Sequence, residues 1–165
     1  ATSLAGRVGI EVANLRFGAW GPLFHHPPSN VNMWVQFVHA AVKGEAMTFS
    51  PPLSPPYAED GVDLCYVKDC GRAIALLQTA EKLHHHTFNV GLGRAIKNRE
   101  FVAAIKRIIP DATIELPEGF APNGPGREVT LDITRLQDDT GYEPAYDVER
   151  GVAEYIAWLR SGNAR

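Results

Sequence analysis

The sequence contains no apolar run of about 18 residues, the length a helix needs to cross a bilayer, and its start lacks a secretory-leader pattern. The expectation is therefore a cytoplasmic protein that does not engage a membrane. Positive charge is not in surplus: 16 Lys and Arg face 19 Asp and Glu, for a formal net charge of −3. No basic surface is left on which to build nucleic-acid binding. Cysteine is scarce, with only Cys65 and Cys70. They read as reduced thiols at a strand and a helix start, a redox pair being the lesser alternative. The Gly-x-Gly-x-x-Gly pattern is absent, so the glycines of Gly91-Leu92-Gly93 are not read as a phosphate loop. No carboxylate or Cys stands at ligand spacing from His25 and His26, so no metal site is expected there. An initiator Met is missing too, and a chain that begins at Ala1-Thr2-Ser3 need not begin where its gene does.

What is present is enough for a core. The length of 165 residues, 45% of them hydrophobic and 21% charged, excludes disorder and fits one domain or one lobe of a larger one. The chain is organised around Val62 to Leu77. Val62, Leu64, Tyr66 and Val67 make a short buried strand, and Asp69 is the expected N-cap of the helix that follows. Cys70, Ala73, Ile74 and Leu77 recur at i, i+3, i+4 and i+7 and predict its apolar face.

Elsewhere, Ala1 to Val8 read as the end of a helix stopped by Gly9. Ile10 to Phe17 read as a strand, and Gly18 to Pro22 as a loop. A helix is predicted over Val31 to Lys43, ended by Gly44, with Trp34, Val35, Val38 and Val42 inward. Met47 to Ser50 and Thr113 to Leu116 predict short strands, and the prolines of Pro51 to Tyr57 predict a stiff loop. His84, His85 and His86 look like a metal tract. Their expected place at a helix end, where cations are favourable, supports a structural role instead. Thr87 to Val90 is a strand, Asn98 caps a helix to Ile109, and a final helix turns Val148, Val152, Tyr155, Ile156 and Leu159 inward.

Several of these pieces resemble one family in order: Tyr66-Val-Lys-Asp69, the Leu15-Arg16 strand with its Gly21-Pro22 loop, Phe88-Asn-Val-Gly91, and Asp132-Ile-Thr-Arg-Leu136. Thr140-Gly-Tyr-Glu-Pro144 and the Glu149-Arg-Gly-Val to Trp158-Leu-Arg helix complete the run. The family is the NAD-dependent epimerases/dehydratases, the extended short-chain dehydrogenases/reductases (SDRs). The resemblance spans nearly the whole chain and implies an α/β fold for residues 1–165: the last Rossmann-sheet strands plus the small α+β substrate-binding lobe.

By resemblance, Phe17, Gly18, Ala19 and Trp20 lie beside the nicotinamide end of NAD or NADP, although Trp20 packing beneath its loop is an equal reading. Arg127 resembles a substrate-binding Arg, against the alternative of a solvated loop Arg, and His25 (with His26) and Tyr66 are the other substrate-side residues. Nucleotide-sugar members of the family commonly carry an Arg where this chain has Val62, which cannot neutralise a phosphate. The family's Gly-x-x-Gly-x-x-Gly turn and its Tyr-x-x-x-Lys pair are both missing, so no catalytic residue is assigned. The expectation is the C-terminal half of an NAD(P)-dependent sugar dehydrogenase or epimerase, a homodimer when complete, with a small-molecule substrate. The alternative is a non-catalytic binding domain of the same fold.

Overall fold

The structure is a computed structural model, and it describes residues 7, 9, 11–22, 33–47, 55–122 and 129–163. Strand β1 (Asn14–Phe17) pairs in parallel with β5 (Thr87–Val90), Asn14 opposite Thr87 and Phe17 opposite Val90. Strand β2 (Ala19–Trp20) pairs in parallel with β4 (Cys65–Tyr66), and β3 (Gly61–Val62) pairs antiparallel with β6 (Ile96–Lys97). Val62 also makes an isolated parallel bridge to Val129. The helices are α1 (Met33–Lys43), α2 (Val67–Thr79), α3 (Asn98–Ile108), α4 (Thr134–Thr140) and α5 (Val148–Trp158), with an irregular last turn over Leu159–Asn163.

These elements enclose two cores. In the first, Cys65, Cys70, Ala73, Leu77, Phe88, Val90, Leu136 and Tyr142 pack α2 and α4 against the β1–β5 pair. In the second, Trp20, Phe37, Val38, Tyr66, Phe101, Ile105, Val152, Tyr155 and Ile156 join α1, α3 and α5. Each large side chain so buried contributes about 1.5–3 kcal/mol of transfer free energy. The two cores are the expected two parts: closing sheet strands and a small helical lobe.

The inward face predicted for α5 is found intact, since Val148, Val152, Tyr155, Ile156 and Leu159 are all buried. Gly44, which follows Lys43 at the expected end of α1, holds the left-handed conformation with φ of 69°; Gly9 has the same φ. Other expectations need correction. Helix α2 begins two residues before Asp69, so Asp69 is not its cap. Its buried carboxylate instead accepts the backbone N–H of Tyr146 at 2.9 Å and of Ala145 at 3.1 Å, tying α2 to the loop before α5. Ile74, predicted inward, is 43% exposed.

Asn98 likewise starts α3 without capping it: its amide donates to the Tyr57 carbonyl and accepts from the Trp34 indole. Thr113 to Leu116 form no strand, although Met47 N donates to Thr113 O at 3.3 Å. The remainder of the strand expected at Met47, most of the Pro51 loop and nearly all of the first predicted helix lie outside the described residues. His84 and His85 lie beyond the end of α2 and are not its last turn. Their amides donate to Asp139 Oδ2 at 2.8 and 3.1 Å, and both rings reach Asp139 Oδ1.

Candidate functional site: the carboxyl edge of the parallel strands

In an open α/β sheet the carboxyl ends of parallel strands are where ligands meet the chain. Strand β1 ends at Phe17, which is 43% exposed, and β5 runs out into Gly91-Leu92-Gly93. Gly18 follows Phe17 with its carbonyl accepting from Cys65 N at 3.0 Å, and this bond couples the β1–β5 edge to the β2–β4 pair. Small residues at Gly18 and Ala19 leave the backbone there approachable.

Trp20 behaves differently. Its side chain is 1% exposed and lies edge-on to Tyr66 and Phe101, with ring centroids 5.0 and 4.9 Å away. Gly151 of α5 makes the room for it, because a Cβ there would sit 2.7 Å from Trp20 Cζ2. Of the two readings of Trp20, the packing one describes its side chain; only its backbone lies along the edge.

The edge is held from below by Asp63. This buried carboxylate accepts Leu92 N at 2.7 Å and Leu131 N at 3.2 Å, joining the exit of β5 to the segment before α4. Burial raises its pKa above the usual carboxylate value, while the backbone amides and Arg94 pull it part of the way back. Gly91 is obligatory in this arrangement: an added Cβ would meet Asp63 Oδ1 at 2.5 Å.

Tyr66, expected beside the substrate, is buried, and its hydroxyl donates to Glu154 Oε1 at 3.0 Å. Lys68 Nζ meets the same oxygen at 2.7 Å, and the Tyr146 hydroxyl donates to Oε2 at 2.8 Å. Burial pushes Glu154 up, but the donors from Lys68, Tyr146 and Tyr66 outweigh it and hold the carboxyl below its ordinary value. Burial, then Glu154, push the Tyr66 phenol up, so it remains a neutral donor. Tyr66 therefore reaches solvent only through Glu154. Sequence reasoning missed this cluster because its members, at 66, 68, 146 and 154, converge only in the fold.

Cys65 and Cys70 are unlinked and buried, and the Cys70 thiol, together with burial, raises the pKa of Cys65. His25, His26 and Arg127, the other expected substrate-side residues, lie outside the described residues. Among the described residues no group of three or more His, Cys, Asp and Glu is arranged to hold a metal ion, and no helix is long and apolar enough to cross a membrane.

No family model matches the chain. A dTDP-glucose 4,6-dehydratase of Xanthomonas campestris pv. campestris is 29% identical over 105 residues, covering 58% of this chain and 30% of that protein. Among solved structures, UDP-glucose 4-epimerase of Thermus thermophilus in complex with NAD is 24% identical at a TM-score of 0.70. The match covers 96% of this chain and 50% of that one. L-Threonine dehydrogenase from Phytophthora infestans is 16% identical at a TM-score of 0.78, over 97% of this chain and 52% of that one. The chain thus spans about half the length of the structures it matches. The chain is thus similar in sequence to dTDP-glucose 4,6-dehydratases and shares the fold of part of the epimerase and threonine dehydrogenase structures, in keeping with its resemblance to the extended SDRs.

Proposed function

We propose that the chain is the C-terminal, substrate-binding portion of an NAD(P)-dependent oxidoreductase or epimerase acting on a sugar, a sugar acid or a related hydroxyl compound by hydride transfer. The observation that carries this reading is the carboxyl edge, where two parallel strands end in approachable backbone at Phe17–Ala19 and at Leu92–Gly93, the latter clamped by Asp63. The match to an NAD-complexed epimerase over nearly the whole chain supports it.

The residues present fit one wall of a cofactor site. Phe17, Gly18, Ala19 and the backbone of Trp20 would flank the nicotinamide. When bound, NAD(P) supplies the carbon that takes up or returns the hydride. The chain holds neither the Gly-rich turn for a pyrophosphate nor a Tyr-x-x-x-Lys pair to exchange the hydroxyl proton, so both functions would belong to the rest of the complete protein. Val62 is half-buried between Ile96 and Val129 and offers no charge to a diphosphate. That favours a substrate without a nucleotide, and simple dehydrogenation over epimerisation. The complete protein is proposed to be a cytoplasmic homodimer.

Titration calorimetry with NAD tests the reading. The complete protein should bind NAD at micromolar concentration and reduce it with its substrate. The 165-residue chain alone should bind no more tightly than about millimolar. Micromolar binding by the chain alone would overturn the placement of the cofactor. Failure of the complete protein to bind at all would favour the second reading, a non-catalytic ligand- or protein-binding domain.

A further inference from the structure

The β2–β4 pair has a carboxyl edge of its own. There the chain leaves β2 through Gly21-Pro22 and leaves β4 into the first residues of α2, Val67 and Lys68. An open cavity of about 550 Å³ lies at this point, between Pro22 and Val67 on one side and Ala157 and Trp158 of α5 on the other. Its volume falls within the range of small-molecule sites. The walls are apolar, with the Trp158 indole as the flat surface, and the polar groups at the mouth are Lys68 and Glu154. The Ser161 hydroxyl, also on the lining, donates to the Trp158 carbonyl at 2.8 Å.

The polar pair determines which ligand fits. Glu154 already accepts from Tyr66, Lys68 and Tyr146, so its oxygens have little left to offer a donor. Lys68 carries three N–H groups, and its contacts to Glu154 and the Tyr146 ring leave its side chain 58% exposed. Available donors therefore outnumber available acceptors at the mouth. Arg150 stacks on the Tyr146 ring, 4.3 Å from its centroid, and Asp69 and Asp147 accept the amides of Tyr146 and Arg150, so Lys68 is the cation exposed at the cavity. A single negative charge suits one exposed ammonium, whereas a dianion would be repelled by the ionised Glu154. We propose that this cavity binds a small organic monocarboxylate with a flat apolar body, its carboxylate on Lys68 and its body against Trp158 and Pro22. The proposal does not rest on the nicotinamide assignment.

Sodium benzoate is a suitable probe, titrated into the ¹⁵N-labelled protein, with benzamide as its uncharged counterpart. Saturable amide shifts centred on Val67, Lys68, Ala157 and Ser161 are expected. Benzamide and the Lys68→Met variant should each bind about fivefold more weakly, the scale of a half-exposed ion pair. Lys68 is exposed and tolerates replacement, so the variant should fold; Trp158→Phe, which keeps a flat ring, should retain binding. The proposal is overturned if benzoate gives no saturable shifts, if benzamide binds equally well, or if Lys68→Met leaves the affinity unchanged.

Discussion

Replacing Gly151 by Ala sets helix propensity directly against packing. In an exposed helix interior the change stabilises by about 1 kcal/mol. At Gly151 the new methyl would lie 2.7 and 2.8 Å from Trp20 Cζ2 and Cη2, and 3.2 Å from Tyr66 Cδ2. The indole cannot move aside, because it is 1% exposed and fixed between the rings of Tyr66 and Phe101. Tyr66 is equally constrained by its bond to Glu154. Overpacking of this kind costs about 1–3 kcal/mol. Contacts below 3 Å to a ring that cannot shift put the cost at about 2–3 kcal/mol, so the change should leave a net loss of about 1–2 kcal/mol.

Urea denaturation should show a lower midpoint with an unchanged m-value. A second variant isolates the cause. Trp20→Phe removes the ring atoms that the methyl would strike, so the double variant should be about 1 kcal/mol more stable than the sum of the single changes allows. Full additivity, or a Gly151→Ala protein as stable as the parent, would refute the argument and with it the assignment of the Trp20 side chain to the core.

Asp63→Asn leaves one acceptor oxygen for the Leu92 and Leu131 amides and should cost about 2 kcal/mol at neutral pH, measured by chemical denaturation. The pH dependence has a definite sign: burial holds the folded-state pKa of Asp63 above the ordinary carboxylate value, so the parent gains on Asp63→Asn as pH falls through that raised pKa. No such gain would contradict the burial argument. Glu154 is opposite, since its lowered pKa gives stability present above the ordinary Glu value and lost as pH falls through the folded value; Glu154→Gln should flatten that acid limb. Arg127→Ala in the complete enzyme should raise KM at least about tenfold if Arg127 holds a substrate anion, and steady-state kinetics showing an unchanged KM would remove it from the site.

The elements that were legible in the sequence are those that carry their own periodicity. The inward face of α5 could be read because a spacing of three and four residues is local information, and Gly44 ends α1 where it was expected. Asp69 was misread because a good capping residue in the first turn is chemically equivalent to a cap until the tertiary partner is known, and the partner here is the amide of Tyr146, 77 residues on. Thr113 to Leu116 have strand-like residues, but a strand needs a ladder, and no strand pairs with them among the described residues. Pairing of β1 with β5 joins positions 73 residues apart, which local patterns cannot report. The Glu154 cluster left only a weak trace, an acidic residue beside the inward Tyr155 of α5.

The fold shared with an epimerase and a threonine dehydrogenase does not itself choose between reactions. Position 62 has the greatest leverage. Val62 pairs with Ile96 and bridges to Val129, so it stands where the antiparallel pair meets the segment that leads on to Leu131. A β-branched apolar residue suits that half-buried junction, and an Arg there would have to send its guanidinium outward to remain solvated. Asp63, the next residue, anchors Leu131 through its backbone amide. With Val62 neutral, anion recognition is proposed to pass to Arg127.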